Sequence, residues 1–396
     1  MKHRRNLREL FCRIIILTFI FWAYRAFAED DLPTRGTPLS LEQCTQIALK
    51  YHPSLHAGQA TVEAQKARVE QALAAYYPQI NFTTGYSTAT SNFSGTRNPT
   101  YNWNFTDTFS MGPTFNQMIY DFGRTPNTVK LNRENATASE QDLQAAAQNV
   151  ILNVKQKYYG VLQSLALIKV AQETLTQNQK RLEQSMGFFQ AGTRSKIDVT
   201  KAEVDLANAQ LALIRNKNNF QVARANLSNA MGLKEGLNFA IDEAVDFKPK
   251  IISLDEILES AYALRPEILQ IKAKQRSQEA AVELAHSGYY PTVSGNAANL
   301  WRTGQVPNDF AWDWSAGATL TIPVFTGFST PSQIAEAKAL VRNLQAQEDT
   351  LRQDIRLEAE QAYLSSKEAI ERISVTEKSV EQAKENYELA SGRYQV

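Results

Sequence analysis

The sequence predicts a mixed, mainly α fold in which long antiparallel coiled-coil helices join two β-hairpins, the whole unit occurring twice in tandem. Three observations carry this expectation. First, residues recur at fixed offsets. Ser40-Leu41-Glu42, Pro53 and Tyr76-Tyr77-Pro78 return 213 positions later as Ser253-Leu254-Asp255, Pro266 and Tyr289-Tyr290-Pro291. Thr125-Pro126, Tyr158, Glu183, Gly187 and Gln190 return 205 positions later as Thr330-Pro331, Tyr363, Glu388, Gly392 and Gln395. The offset changes between Pro78 and Thr125, so one loop there is shorter in the second copy. Second, no proline follows Pro126 before Gln190, and Gly160 and Gly187 are the only glycines in between. These 65 residues can form one helix, roughly 98 Å long. Third, a Thr/Ser/Asn- and aromatic-rich stretch in each copy alternates with the period of a strand.

The first 28 residues are expected to be a signal peptide. Lys2, Arg4, Arg5, Arg8 and Arg13 form its basic region, Ile14 to Tyr24 its apolar run, and Ala26-Phe27-Ala28 its cleavage site. The apolar run is far short of the about 20 residues that span a bilayer. Removing this segment, of net charge +5, takes the chain from +1 to −4, which gives no case for nucleic acid. Cys12 leaves with it and Cys44 remains alone, so no internal disulfide is expected.

The first repeat is placed at residues 29–251. Helices over 40–75 come first, broken at Pro53 and stopped by Tyr77-Pro78, because the residue before proline avoids the helical region. A β-hairpin follows over 79–122, with Ile80, Phe82, Thr84 and Tyr86 on one side and Gln79, Asn81, Thr83 and Ser87 on the other. Thr125-Pro126 then offers an N-cap and a proline at the first helical position, opening the long helix over 126–190. Its apolar residues, Leu143, Ala147, Val150, Val154, Val161, Leu165, Ile168, Leu175, Leu182, Met186 and Phe189, recur at the spacing of a coiled-coil seam. A tip turn occupies 191–199. Gly192 supplies the left-handed residue that ends a helix, and Ser195 with Asp198 reads as a capping box for the next, over 195–231. The two shorter helices nearly sum to the length of the long one and could line it. Residues 232–251 link to the second repeat, 252–396, with helices over 253–288, a hairpin over 292–325 and a long helix over 331–396. Its counterpart of Gly192 would fall just past Val396. The second repeat is therefore expected to be incomplete, with an exposed apolar seam on its long helix and no complete helical tunnel.

The strands indicate a membrane. Phe82, Tyr86, Trp103, Phe105, Phe109, Trp301, Phe310, Trp312 and Trp314 look like interfacial aromatics of spanning strands. A soluble sandwich would require a second apolar face. Four strands cannot close a barrel, for which about eight is the minimum, and an open edge in lipid is forbidden. Several chains must share one barrel.

No enzyme is expected. His52 and His56 straddle Pro53 without a nearby third ligand, no nucleophile–histidine set stands out, and there is no Gly-rich phosphate loop. No metal or cofactor is assigned.

The order of helices, Tyr-Pro stop, hairpin, Thr-Pro, long helix and Gly turn, given twice after a signal peptide, resembles the TolC family of outer-membrane efflux and secretion ducts over about Leu39 to Val396. The turn AGTRSKIDV and the closing Tyr394-Gln395-Val396 resemble that family's periplasmic tip motifs. The resemblance implies a homotrimer with a 12-stranded barrel in the outer membrane and a 12-helix α-barrel across the periplasm. It implies docking onto a periplasmic adaptor (membrane fusion) protein joined to an inner-membrane pump, in efflux or type I secretion. By the same likeness, Gly192, Arg194, Ser195, Asp198, Val199 and Tyr394 are the tip residues expected to contact the adaptor or hold the gate. For Ser195 and Asp198 a helix cap is the simpler alternative, and for Arg194 a solvated loop charge. A periplasmic adaptor with a coiled-coil hairpin is the competing function, explaining the helices but not the aromatic hairpins.

Overall fold

The computed structural model describes residues 38–91, 104–233, 240–243, 252–303 and 311–393. The expected signal peptide, the aromatics Trp103 and Phe310, most of the 232–251 linker and Tyr394 lie outside them. The elements in chain order are β1 (Pro38–Leu39), α1 (Leu41–Tyr51), α2 (Pro53–Leu73), β2 (Gln79–Ser91), β3 (Asn104–Tyr120), α3 (Arg124–Gln190), α4 (Lys196–Ala230), β4 (Ala240–Ile241), α5 (Leu254–Leu264), α6 (Pro266–His286), β5 (Thr292–Thr303), β6 (Ala311–Thr321) and α7 (Ser329–Arg393). The order repeats as the duplication requires. No helix among the described residues is long and apolar enough to cross a membrane.

The local chemistry sets these bounds. Ser40 and Gln43 form a reciprocal capping box at α1, with Gln43 N–H donating to Ser40 Oγ at 3.3 Å and Ser40 N–H donating to Gln43 Oε1 at 3.0 Å. Ser253, its repeat partner, accepts from Glu256 N–H at 3.3 Å. Pro53 and Pro266 begin α2 and α6, where a missing N–H costs nothing.

The long helices begin earlier than the sequence suggests, at Arg124 and Ser329. Thr125 is not the N-cap; its N–H donates to Asp121 Oδ2 at 2.7 Å, and its hydroxyl donates to the same carboxylate. In the second copy Thr330 is likewise inside the helix, its hydroxyl 3.1 Å from that of Thr326. Asp121 and Thr326 are 205 apart, so the side chain that meets this threonine hydroxyl occupies the same place in both copies. The cause is a tighter corner than expected, made of two successive left-handed residues: Phe122 and Gly123 (φ 50° and 100°) in one copy, Gly327 and Phe328 (φ 62° and 64°) in the other. A left-handed phenylalanine is strained by roughly 1 kcal/mol.

The chain divides into two compact units, with α3 passing through both. One comprises residues 53–150 and 245–396. It holds an antiparallel sheet in the order β2-β3-β5-β6. The helices continue this order. Lys66 of α2 pairs with Glu140 of α3 at 2.8 Å. From α6, Arg276 pairs with Glu134 at 2.8 Å, Gln270 donates to Asp142 at 2.7 Å, and Ser277 donates to the Leu131 carbonyl at 3.1 Å. On its other side α6 meets α7, Gln275 donating to Glu348 at 2.8 Å. Arg352 also holds Glu348, and these bonds keep its carboxyl below the usual carboxylate range. The helical layer therefore runs α2-α3-α6-α7, each helix extending the strand of the same rank. Ile268, Ile271, Ala273 and Ala280 of α6 are buried within it. The distal half of α7 exposes Leu364, Ile373, Val375, Val380, Tyr387 and Leu389.

The other unit comprises residues up to 52 and 151–244. Here β1 pairs in parallel with β4, and Tyr158 of α3 donates its hydroxyl to the Asp242 carbonyl at 2.8 Å. Leu39, Cys44, Ala48, Val154, Val161, Leu227 and Met231 form its core, all nearly inaccessible. Burial pushes the Cys44 thiol up to about 11, so it stays protonated. The end of α4 meets the end of α1 at Gly232 (φ 75°), where a Cβ would fall 2.6 Å from His52 Cα. The α3 seam is tight through Val161 and Ala171 but opens toward the tip, leaving Met186 and Phe189 exposed. α3 and α4 are only two helices, and two helices cover one stripe each.

Candidate functional site: a two-faced sheet and a helical tip

The sheet sorts its side chains by face, because residues two apart along a strand and residues paired across strands share a side. Tyr86 pairs with Phe109, Phe82 with Pro113, and Ile80 with Phe115. Phe115 pairs with Ala297, and Met111 with Trp301. Trp301 pairs with Trp312, Asn299 with Trp314, Ala297 with Ala316, and Val293 with Leu320. Every one of these residues lies on one face. The other carries Gln79, Asn81, Thr83, Ser87, Thr108, Ser110, Thr114, Asn116, Ser294, Asn296, Ser315, Thr319 and Thr321. The apolar face is open: Ile80, Phe82, Tyr86, Trp312, Trp314 and Leu320 are each about 60 % accessible or more.

The height of that face fits a bilayer. Phe109 to Tyr120 covers eleven residue steps, about 36 Å along the strand and, at a barrel tilt of about 40°, about 28 Å in height, close to the apolar band of outer-membrane barrels. Aromatics bound it at both ends, Tyr120, Phe122 and Tyr290 toward the helices and Tyr86, Trp301 and Trp312 away from them. Tyr86 donates to Asp107 at 3.0 Å, a polar group at the outer limit of the band.

Strands β2 and β6 each leave one edge unpaired within the described sheet. Gly112 is what allows β3 and β5 to meet, since a Cβ there would fall 2.0 Å from the Asn299 carbonyl oxygen. Pro113, next to it, has no N–H to give, and β3–β5 pairing skips from Met111 to Thr114.

The tip turn is a complete Schellman motif. Gly192 (φ 71°) donates its N–H to the Phe189 carbonyl at 3.0 Å, and Thr193 donates to that of Phe188 at 3.0 Å. The Thr193 hydroxyl reinforces the latter at 2.9 Å. Ser195 is the N-cap of α4, but the expected capping box does not form. Its side chain makes no cap bond to the helix backbone and instead donates to the Asp198 carboxylate at 3.3 Å. Asp198 is drawn to that hydroxyl, and its own N–H reaches only the Ser195 carbonyl. The Arg194 guanidinium lies over the Phe188 ring, 5.5 Å from its centroid. Val199 is buried, whereas Gly192, Arg194 and Ser195 are exposed and Ile197 is 77 % accessible. The structure thus gathers exposed Arg194 and Ser195 of the turn and half-buried Asp198 of the first turn of α4 at one tip.

Two groups escaped the sequence reading. Asp121 was hidden because Thr125-Pro126 offered a stronger cap signal, although its match with Thr326 at the 205-residue offset marks it. Arg302 and Asp313, which pair at 3.5 Å across β5 and β6, carry no sequence signature, because their meeting depends on the register of the two strands.

A family model described as "Outer membrane efflux protein" matches residues 44–233 and 257–396. The chain is 25 % identical over 313 residues to the outer membrane efflux protein BepC of Brucella suis, covering 78 % of this chain and 66 %, just under two thirds, of that protein. It is 25 % identical over 384 residues to the outer membrane protein TolC of Vibrio cholerae, covering 87 % and 83 %. Among solved structures, the outer membrane protein VceC of Vibrio cholerae superposes with a TM-score of 0.74 at 19 % identity, over 90 % of this chain and 85 % of that one.

Proposed function

Since the chain belongs to the outer membrane efflux protein family, we propose that it is the exit duct of a tripartite efflux pump or type I secretion system. It sits in the outer membrane of a Gram-negative bacterium. The observation that carries this reading is the sheet with one apolar and one polar face and two free edges. Backbone groups unpaired in lipid cost several kcal/mol each, so copies must close the sheet edge to edge, β6 of one against β2 of the next. Three copies give 12 strands with the polar face inward. The helical layer, in the same rank order, continues that ring as an α-barrel into the periplasm.

The duct performs no chemistry; an inner-membrane transporter drives its cargo, reached through a periplasmic adaptor at the helical tip. Gly192, Arg194, Ser195, Asp198, Val199 and Tyr394 are assigned to the adaptor contact or gate. A periplasmic adaptor would have no use for an apolar sheet face of bilayer height. The test is ion conductance in planar bilayers by the protein as its cell makes it, taken from outer membranes. Discrete channels support the duct, and a protein that leaves with the inner membrane and conducts nothing overturns it. If Arg194 and Asp198 restrain the gate, alanine at both raises single-channel conductance; an unchanged value removes them from that role.

A further inference from the structure

The polar face of the sheet is almost free of charge. Among its described residues only Arg302 and Asp313 ionise; the rest of the face is Thr, Ser, Asn, Gln, Gly and a few apolar residues. Arg302 Nε lies 3.5 Å from Asp313 Oδ2, with both side chains about half accessible. They sit diagonally across the strands, Arg302 opposite Ala311 and Asp313 opposite Leu300. Their level is the end of the sheet away from the helices, directly behind the Trp301–Trp312 pair on the apolar face.

We propose that this pair is a self-neutralised charge ring at the outer mouth of the pore and sets its ion selectivity. The proposal rests on the duct reading. An exposed ion pair adds little stability, so scaffolding gives no reason for these two residues. Their field is another matter. With no other ionising side chain among the described residues of this face, one uncompensated residue per copy shifts the sign of the potential that an entering ion meets. Copies repeat every four strands, about 19 Å of sheet width at strand spacing. That exceeds the screening length of about 10 Å at 0.1 M salt but not the about 30 Å at 0.01 M, so the fields of neighbouring copies merge at low salt.

The test measures reversal potential across a salt gradient at low ionic strength, on the protein taken from outer membranes and reconstituted in planar bilayers. Asp313→Asn exposes the arginines and is expected to shift the cation-to-anion permeability ratio about twofold or more toward anions. Arg302→Gln shifts it toward cations, and the double variant returns it to the starting value. The shifts shrink as salt is raised. Single variants that conduct with an unmoved ratio, or that both shift it the same way, overturn the pair's role while leaving the duct intact. If the unaltered protein does not conduct, the duct reading falls and this one with it. Arg302→Lys keeps the charge and must keep the ratio; if it moves the ratio as Arg302→Gln does, packing rather than charge is responsible and the proposal is wrong.

Discussion

Two glycines separate backbone strain from steric exclusion. At Gly192 the left-handed φ is the whole requirement, for no atom lies within 4 Å of the place a Cβ would take. Gly192→Ala is expected to cost about 1 kcal/mol, visible as a small fall in the urea midpoint with the protein still reaching the outer membrane. At Gly112 a Cβ meets the Asn299 carbonyl oxygen at 2.0 Å, and neither backbone can yield without breaking the β3–β5 ladder. Gly112→Ala should abolish assembly, measured as loss of the heat-modifiable oligomer from outer-membrane fractions. Equal behaviour of the two variants would contradict this. Gly192 was legible because it follows a long proline-free run; Gly112 was not, since its necessity lies in a strand almost 190 residues away.

Each repeat element depends on a few contacts between distant segments. Tyr158 joins three of them, its hydroxyl donating to the Asp242 carbonyl at 2.8 Å and lying 3.4 Å from that of Leu39. Tyr158→Phe keeps the ring but takes the hydroxyl away from the Asp242 carbonyl, at an expected cost of about 1–2 kcal/mol. Hydrogen exchange should then quicken at Asp242, whose N–H bonds the Leu39 carbonyl at 3.1 Å, while the tip helices are unaffected. No change there would mean that β1 and β4 hold themselves together. The sequence showed Tyr158 and Tyr363 as a repeated pair but gave no partner for either. Capping was legible where the signal is short-range, as at Ser40 and Ser253. It failed at Thr125 and Ser195, where a nearby carboxylate competes with the backbone for the same hydroxyl.

For the whole molecule, the decisive contrast is between the two faces of the sheet. Ser315 and Ala316 are neighbours on β6 and point to opposite sides. Near mid-band a lysine facing lipid costs about 2–4 kcal/mol, whereas one facing a polar lumen is tolerated. Ala316→Lys should therefore deplete folded protein from the outer membrane and Ser315→Lys should not. The reverse pattern, or equal tolerance, would mean that the apolar face does not meet lipid.

The sequence alone determined the duplication, the element order, the alternation of the strands and the left-handed tip, because each is written in local spacing, in proline and glycine, or in a period of two or of seven. It also placed the aromatics of the described strands on one face and, by strand count, set the expectation of more than one chain per barrel. Only the tertiary structure decided the neighbour order shared by strands and helices, the corners at Phe122 and Phe328, the close approach at Gly112 and the pairing of Arg302 with Asp313. These depend on which distant segments share a ladder or a seam. Register, once set, moves every side chain of a strand to one face or the other, and no local pattern specifies which partner supplies it.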